Sequence, residues 1–235
     1  MSWKHEWGPS LKTPASLESY LEIASLAGGL PVVGPDHGRA DDSAENVGAF
    51  RVPLPTTPSD SESVVDFWRE AGPKLWFAKD GDFDRRFRAR FLDLHEAAAR
   101  GELSDWIPTP TGSLALAILL DQFPRNAFRG TSRMYATDLL AREVAGVAIA
   151  AGHDAGVDPD MRLFLYLPFG HSENLADQLL SVELGKRLGE PNLSRARRHC
   201  DIVKRFGRFP HRNPILGRAM RPEEQQYLDE GGYSG

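Results

Sequence analysis

A single cysteine, Cys200, is all the thiol that the 235-residue chain contains. No intramolecular disulfide can form, and the cysteine pairs of a structural zinc site are excluded. Long apolar stretches are equally scarce. The longest unbroken run, Leu114 to Leu120, falls far short of the roughly 18 residues that cross a bilayer. The opening Met-Ser-Trp-Lys-His-Glu-Trp holds no apolar stretch of signal-peptide type. These gaps set the expectation of a cytoplasmic protein with no membrane partner. There is no glycine-rich loop ending in Gly-Lys-Ser/Thr, no Gly-x-Gly-x-x-Gly and no His-Glu-x-x-His, so no cofactor is expected. Asp80-Gly81-Asp82-Phe83-Asp84 begins like a calcium loop. Its sixth position is Arg85 instead of Gly and its twelfth is Phe91 instead of an acid, which breaks the pattern. His171, Glu173, His199 and His211 fit no metal-ligand spacing, so no metal is assigned.

What is present is ordinary in amount and uneven in distribution. Apolar residues make up 41% and charged residues 26% of the chain, enough to build a buried core. Between Asn192 and Arg221 nine Arg or Lys face one acid, Asp201, in a chain whose net charge is −5. A basic patch on an otherwise acidic protein suggests a local anion site and argues against nucleic acid, whose backbone the remainder would repel.

Residues 1–60 read as an N-terminal extension, and residues 61–235 as a helical domain. In the extension, Thr13-Pro14 opens a short helix carrying Leu17, Leu21 and Ala24, followed by an irregular arm up to Pro58. Val32-Val33 and Phe50 to Pro55 are the only strand-like pieces, and Trp3 and Trp7 are candidate anchors for the arm. Ser59-Asp60-Ser61-Glu62 is a capping box. Asp82 or Asp84 starts a helix with Phe83, Phe87, Phe91, Leu94 and Ala98 on one stripe, closed by Gly101. Ser113 is expected to cap the apolar run, Ser132 to open an Ala-rich helix ending near Gly152, and Asp158-Pro159 another that Pro168 stops. Ser172 is read as the cap of a helix on which Leu175, Leu179 and Val182 share a face. Asn192 or Ser194 opens the last basic helix, which Gly207 closes. About seven helices with short connections predict an all-α fold of antiparallel helices.

Three stretches interrupt apolar helices with polar residues. In Asp121-Gln122-Phe123-Pro124-Arg125-Asn126, followed by Arg129, a carboxylate directly after seven apolar residues needs a buried partner. In Gly170-His171-Ser172-Glu173-Asn174 a helix start offers free N–H groups beside an imidazole and a carboxylate. In the third, His199 shares a helix face with Ile202, Val203 and Phe206, Arg205 follows, and Arg208, His211, Arg212 and Asn213 crowd into six residues. Guanidinium forks there suit carboxylate or phosphate. The first and third stretches echo each other, Gln-Phe-Pro-Arg-Asn against Arg-Phe-Pro-His-Arg-Asn.

On these residues the chain resembles a bacterial family, the domain of unknown function 924. The matching text is Val65-Asp66-Phe67-Trp68, Trp76-Phe77-Ala78-Lys79-Asp80 with Phe83-Asp84, then Leu119 through Gly130. It continues with Pro168 through Glu173, Arg205 through Asn213, Leu216-Gly217-Arg218 and Glu223-Glu224. The family's Phe-Trp-Phe-Gly opening here reads Phe67-Trp68-Arg69-Glu70, and Gly170 stands where the family often has an acid. The resemblance implies a tetratricopeptide-like helical fold and no established activity.

The leading functional expectation is a pocket for a small anionic ligand, an organic acid or phosphate ester, lined by Arg125, His171, Glu173, Arg208, His211 and Arg212. Asn126, Arg129, His199, Arg205, Asn213 and Arg218 are further candidate contacts. For acid–base work, His171 or His211 would move the proton, with Glu173 or Asp121 orienting it. The alternative is an interaction scaffold whose basic groove takes an acidic peptide. A third reading makes the cluster an ion-pair network that only locks helices. Convergence of the imidazoles and guanidiniums on one cavity separates the first reading from the others.

Overall fold

The computed structural model describes residues 59–235. The expected N-terminal helix, the arm and its strand-like pieces lie outside the described residues. Among those described the fold is all-α with no strand.

Helix α1, Asp60–Trp76, starts on the expected box: Ser59 Oγ accepts from the Glu62 N–H at 3.3 Å, and the Glu62 carboxylate accepts from the Ser59 N–H at 2.7 Å. Gly72, at φ +68°, bends it ahead of Pro73. Trp76 Nε1 donates across the bend to the Trp68 carbonyl at 2.6 Å. Helix α2, Gly81–Ala99, is capped by Asp80 rather than by the later aspartates, through the Asp82 and Phe83 N–H groups. Its buried stripe holds four of the five residues expected, Phe83, Phe87, Phe91 and Ala98, with His95 added and Leu94 only half-buried. These rings meet Phe67 and Trp68 of α1 at centroid distances of 5.2–5.9 Å.

Helix α3, Pro110–Ala117, begins earlier than expected, on Thr109 with Pro110 in the first turn. Ser113 is inside it, donating to the Ile107 carbonyl at 2.8 Å. Leu114 to Leu120 are all buried, each large side chain contributing about 1.5–3 kcal/mol. This central rod continues through Ile118–Gln122 into α4, Phe123–Ala127. Helix α5, Asp138–Ala150, follows a 3₁₀ turn at Ser132–Tyr135, so the Ala-rich helix starts six residues after Ser132. Helix α6, Leu163–Gly170, contains Pro168 instead of stopping at it.

Helix α7, Leu175–Leu188, corrects another expectation. Its cap is Asn174, whose Oδ1 accepts from the Ala176 N–H at 2.8 Å. Leu175 and Leu179 are 44% and 49% exposed. The buried face carries Asp177, Gln178, Leu180, Ser181 and Leu184. Asp177 and the Gln178 amide N–H group go inward onto partners, while Gln178 Oε1 has none among the described residues. Asp177 takes Ser172 Oγ at 2.7 Å and Arg142 at 3.1 Å, and Gln178 Nε2 reaches the Gly170 and Ser172 carbonyls at 2.8 and 2.6 Å. Helix α8, Asn192–Phe206, ends on Gly207 at φ +72°. Its Ile202, Val203, Phe206 and Phe209 beyond it form a second, smaller core with Tyr227 and Tyr233. Helix α9, Pro222–Asp229, closes the fold. Consecutive helices pack side by side, α5 on α6, α6 on α7 and α7 on α8.

Candidate functional site

The site grows out of an irregularity in the central rod. Between α3 and α4 the helix widens into one π turn, Ile118–Gln122, where the Phe123 N–H reaches back to the Ile118 carbonyl. Such a turn carries an extra residue and loosens the carbonyl ladder, and Pro124 has no N–H to offer Leu120. Side chains answer four carbonyls in a row. His95 Nδ1–H donates to Leu119 O at 2.8 Å, Thr137 Oγ1 to Leu120 O at 2.5 Å, Arg125 to Asp121 O at 2.8 Å, and Asn126 to Gln122 O at 2.8 Å. Gln122, Arg125 and Asn126 reach a cavity from this turn, with Asp121 fully buried behind them.

Asp121 collects donors. His171 Nδ1 lies 2.8 Å from Oδ1, Gln122 Nε2 2.6 Å from Oδ2, and Arg125 Nη1 3.0 Å from Oδ1. Burial alone would raise its pKa; Arg125, His171 and Gln122 outweigh it and hold the carboxyl down to about 2. An ionised carboxylate only accepts, so His171 carries its proton on Nδ1 and presents the Nε2 lone pair to the cavity. Arg125 forks onto Asp138 at 2.8 and 3.0 Å.

Arg212 faces Arg125 across Tyr135. Its guanidinium carbon lies 4.6 Å from the Tyr135 ring centroid and 4.6 Å from that of Phe209. One Nη donates to the His171 carbonyl at 2.9 Å and the other is 3.6 Å from Asp138. Arg212 is 7% exposed, and its Nε has no hydrogen-bond partner among the described residues. Burial, then the neighbouring Arg125, press against its charge.

Two more imidazoles complete the recess. His199 Nδ1–H donates to the Gly170 carbonyl at 3.1 Å, which again leaves Nε2 bare. Burial, followed by the proximity of His171, pushes its pKa down to about 3. His211 is pushed down to about 4 by burial and Arg212. Burial and then Arg125 lower His171 as well, against the pull of Asp121. Tyr233 packs between His199 and His211, with ring centroids at 4.7 and 5.1 Å. All three histidines are therefore neutral near pH 7.

The cavity these groups enclose measures about 430 Å³, within the range of small-molecule sites. Its wall carries six cations, Lys79, Arg125, Arg129, Arg195, Arg198 and Arg212, and three histidines, but no Asp or Glu among the described residues. Arg129 pairs with Asp84 at 3.0 Å. Arg195 and Arg198 are exposed at the rim with no ion-pair partner among the described residues, and the exposed Lys79 donates to the Gly235 carbonyl oxygen at 3.4 Å.

Of the residues singled out from sequence, Arg125, Asn126, Arg129, His171, His199, His211 and Arg212 line this cavity, with Asp121 in direct support. The structure does not bring the others to it. Glu173 accepts from Arg218 at 2.6 and 2.9 Å and from the Phe209 N–H at 2.8 Å. Arg208 forks onto the buried Glu224 at 2.7 and 2.8 Å, and Asn213 joins them at 3.0 Å. Arg205 lies on the surface over the Phe206 and Tyr227 rings. The anion-binding helix start expected at Ser172 is taken up as well, because Ser172 is held by Asp177, Arg142 and Asn174. Sequence reasoning missed Tyr135, Asp138, Tyr233 and the rim cations. Only the basic bias of α8 pointed toward Arg195 and Arg198.

Fold and site together define a helical protein with a guanidinium- and imidazole-lined cavity backed by two carboxylates. The profile of a family described as "Bacterial protein of unknown function (DUF924)" matches residues 64–232. The chain belongs to that family. A solved structure, the protein of unknown function ATU0120 from Agrobacterium tumefaciens, is similar at 56% identity with a TM-score of 0.72, over 73% of this chain and 97% of that one. No curated protein matches.

Proposed function

We propose that this protein binds a small anionic ligand, an organic acid or phosphate ester, in the cavity, and that His171 serves there as a proton-transfer group oriented by Asp121. The observation that carries the reading is the wall itself: six cations and three neutral imidazoles with no facing carboxylate. The buried Arg125 and Arg212 are answered by Asp121 and Asp138, neither of which lines the cavity, and the exposed Arg195 and Arg198 have no acid partner among the described residues, so the wall presents an excess of positive charge that favours an anion. The His171–Asp121 contact at 2.8 Å supplies the base-and-orienter geometry of acid–base catalysis. The side-by-side helix pairs support a tetratricopeptide-like arrangement, and the lone buried thiol supports a cytoplasmic setting.

A second reading, an interaction scaffold, is favoured by Leu175 and Leu179, exposed one turn apart on α7. It leaves the charge of the cavity without a purpose and ranks second. The test is a thermal-shift screen against organic acids and phosphate esters. Stabilisation by at least one anion is expected to disappear in Arg212→Gln and to persist in Arg205→Gln, on the surface. No shift with any anion, or an equal shift in both variants, refutes the reading.

A further inference from the structure

The cavity wall is of two unlike kinds. Arg212, Arg125, Tyr135 and His171 form one contiguous polar group, with both guanidiniums against Tyr135 and Arg212 on the His171 carbonyl. Trp76, Phe77, Met134, Leu163, Leu167 and Leu188 make up an apolar side. Trp76 and Phe77 brace against Phe164, at centroid distances of 5.0 and 6.3 Å, so this side is a supported apolar surface. An anion-only site has no use for it, because apolar side chains facing water contribute nothing to the binding of inorganic ions.

The polar group also limits how much charge it can take. Arg125 and Arg212 already face Asp121 and Asp138, so the four groups balance formally. A dianion placed there would be left uncompensated. A monoanion would be matched by one proton taken up on an adjacent imidazole. Arg212 lines the cavity with its guanidinium held against the Tyr135 and Phe209 rings, and its fork suits a planar carboxylate. Lys79, Arg195 and Arg198 stand at the rim, where they draw anions in.

We infer that the ligand is an amphiphilic monocarboxylate, its head at Arg212 and His171 and its hydrocarbon or aryl body along Leu163, Leu167 and Leu188. This rests on the anion-site reading above and narrows it. Isothermal titration with acetate, butanoate, hexanoate and octanoate, alongside inorganic phosphate and adipate, tests it. Each added methylene is expected to tighten binding about fourfold until the apolar side is covered. Hexanoate is expected to bind more than tenfold tighter than adipate, whose second carboxylate would lie against leucine. Leu167→Gln is expected to bring octanoate down toward acetate, and Arg212→Gln to abolish binding at every length. Acetate or phosphate binding as tightly as octanoate, or adipate beating hexanoate, overturns the amphiphile while leaving an anion site. Failure of every probe overturns both. The chain-length series on the unaltered protein decides the matter even where a variant does not fold.

Discussion

Replacing Asp121 by Asn keeps the side-chain shape and removes the charge that His171 and Arg125 share. The carboxyl falls from an ordinary 3.8 to about 2, worth roughly 2–3 kcal/mol at about 1.36 kcal/mol per tenfold change in acidity. Breaking a buried ion pair costs about 3–5 kcal/mol. Arg125 keeps its fork on Asp138, so the lower end, about 3 kcal/mol, is expected near neutral pH. In a chain of this length that is a fall of about 6–12 °C in melting temperature. The pH dependence gives a second check. Because the folded-state pKa is depressed, the stabilisation is complete above 3.8 and is lost as pH falls through about 2. Calorimetric melts of wild type and Asp121→Asn should differ most near pH 7, begin to converge below pH 4 and nearly coincide at pH 2. A gap under about 1 kcal/mol at pH 7, or one that stays constant down to pH 2, would refute the assignment of Asp121 as an ionised, load-sharing partner.

Three further outcomes follow from the cavity. His171, His199 and His211 all lie below the ordinary 6.5, the last two at about 3 and 4, so the free protein should lose stability as pH falls from 6.5 toward 4. A bound carboxylate favours the imidazolium, so calorimetry in buffers of different ionisation enthalpy should register proton uptake on binding at pH 6, and equal heats would count against it. A Cβ on Gly170 would lie 3.1 Å from Ser181 Oγ and 3.8 Å from His199 Nδ1. Gly170→Asp therefore sets a carboxylate beside the recess, and a like charge within about 8 Å costs a bound anion roughly 2 kcal/mol at an effective dielectric near 20. Titration should show binding about thirtyfold weaker than in Gly170→Ala; equal affinities would show that the anion sits elsewhere.

Local features were legible in the sequence. The Ser59 box, the Phe83–Phe87–Phe91 stripe and the Gly207 stop depend on neighbours a turn away. The two stretches that echo each other bring Arg125 and Arg212 to the same Tyr135 and Asp138. What could not be read was which cations are already answered. Arg208 is neutralised by Glu224, sixteen residues on, and Arg218 by Glu173, forty-five residues back; spacing carries no sign of either. The shared face of Leu175 and Leu179 on α7 carried no sign of its direction: both leucines are exposed, and Asp177 and Gln178 hold the inner side through contacts with α5, α6 and the turn that follows.

The π turn at Ile118–Gln122 makes the chemistry of the cavity separable from its scaffold. The Phe123 N–H already bonds the Ile118 carbonyl across five residues, so deleting one residue between them would let the same bond close an ordinary α turn. The helix on either side would keep its place, and only the short stretch that carries Asp121 and Gln122 would be redrawn. The groups behind the cavity can therefore change by a single residue while the leucines before the turn and Arg125 after it keep their seats.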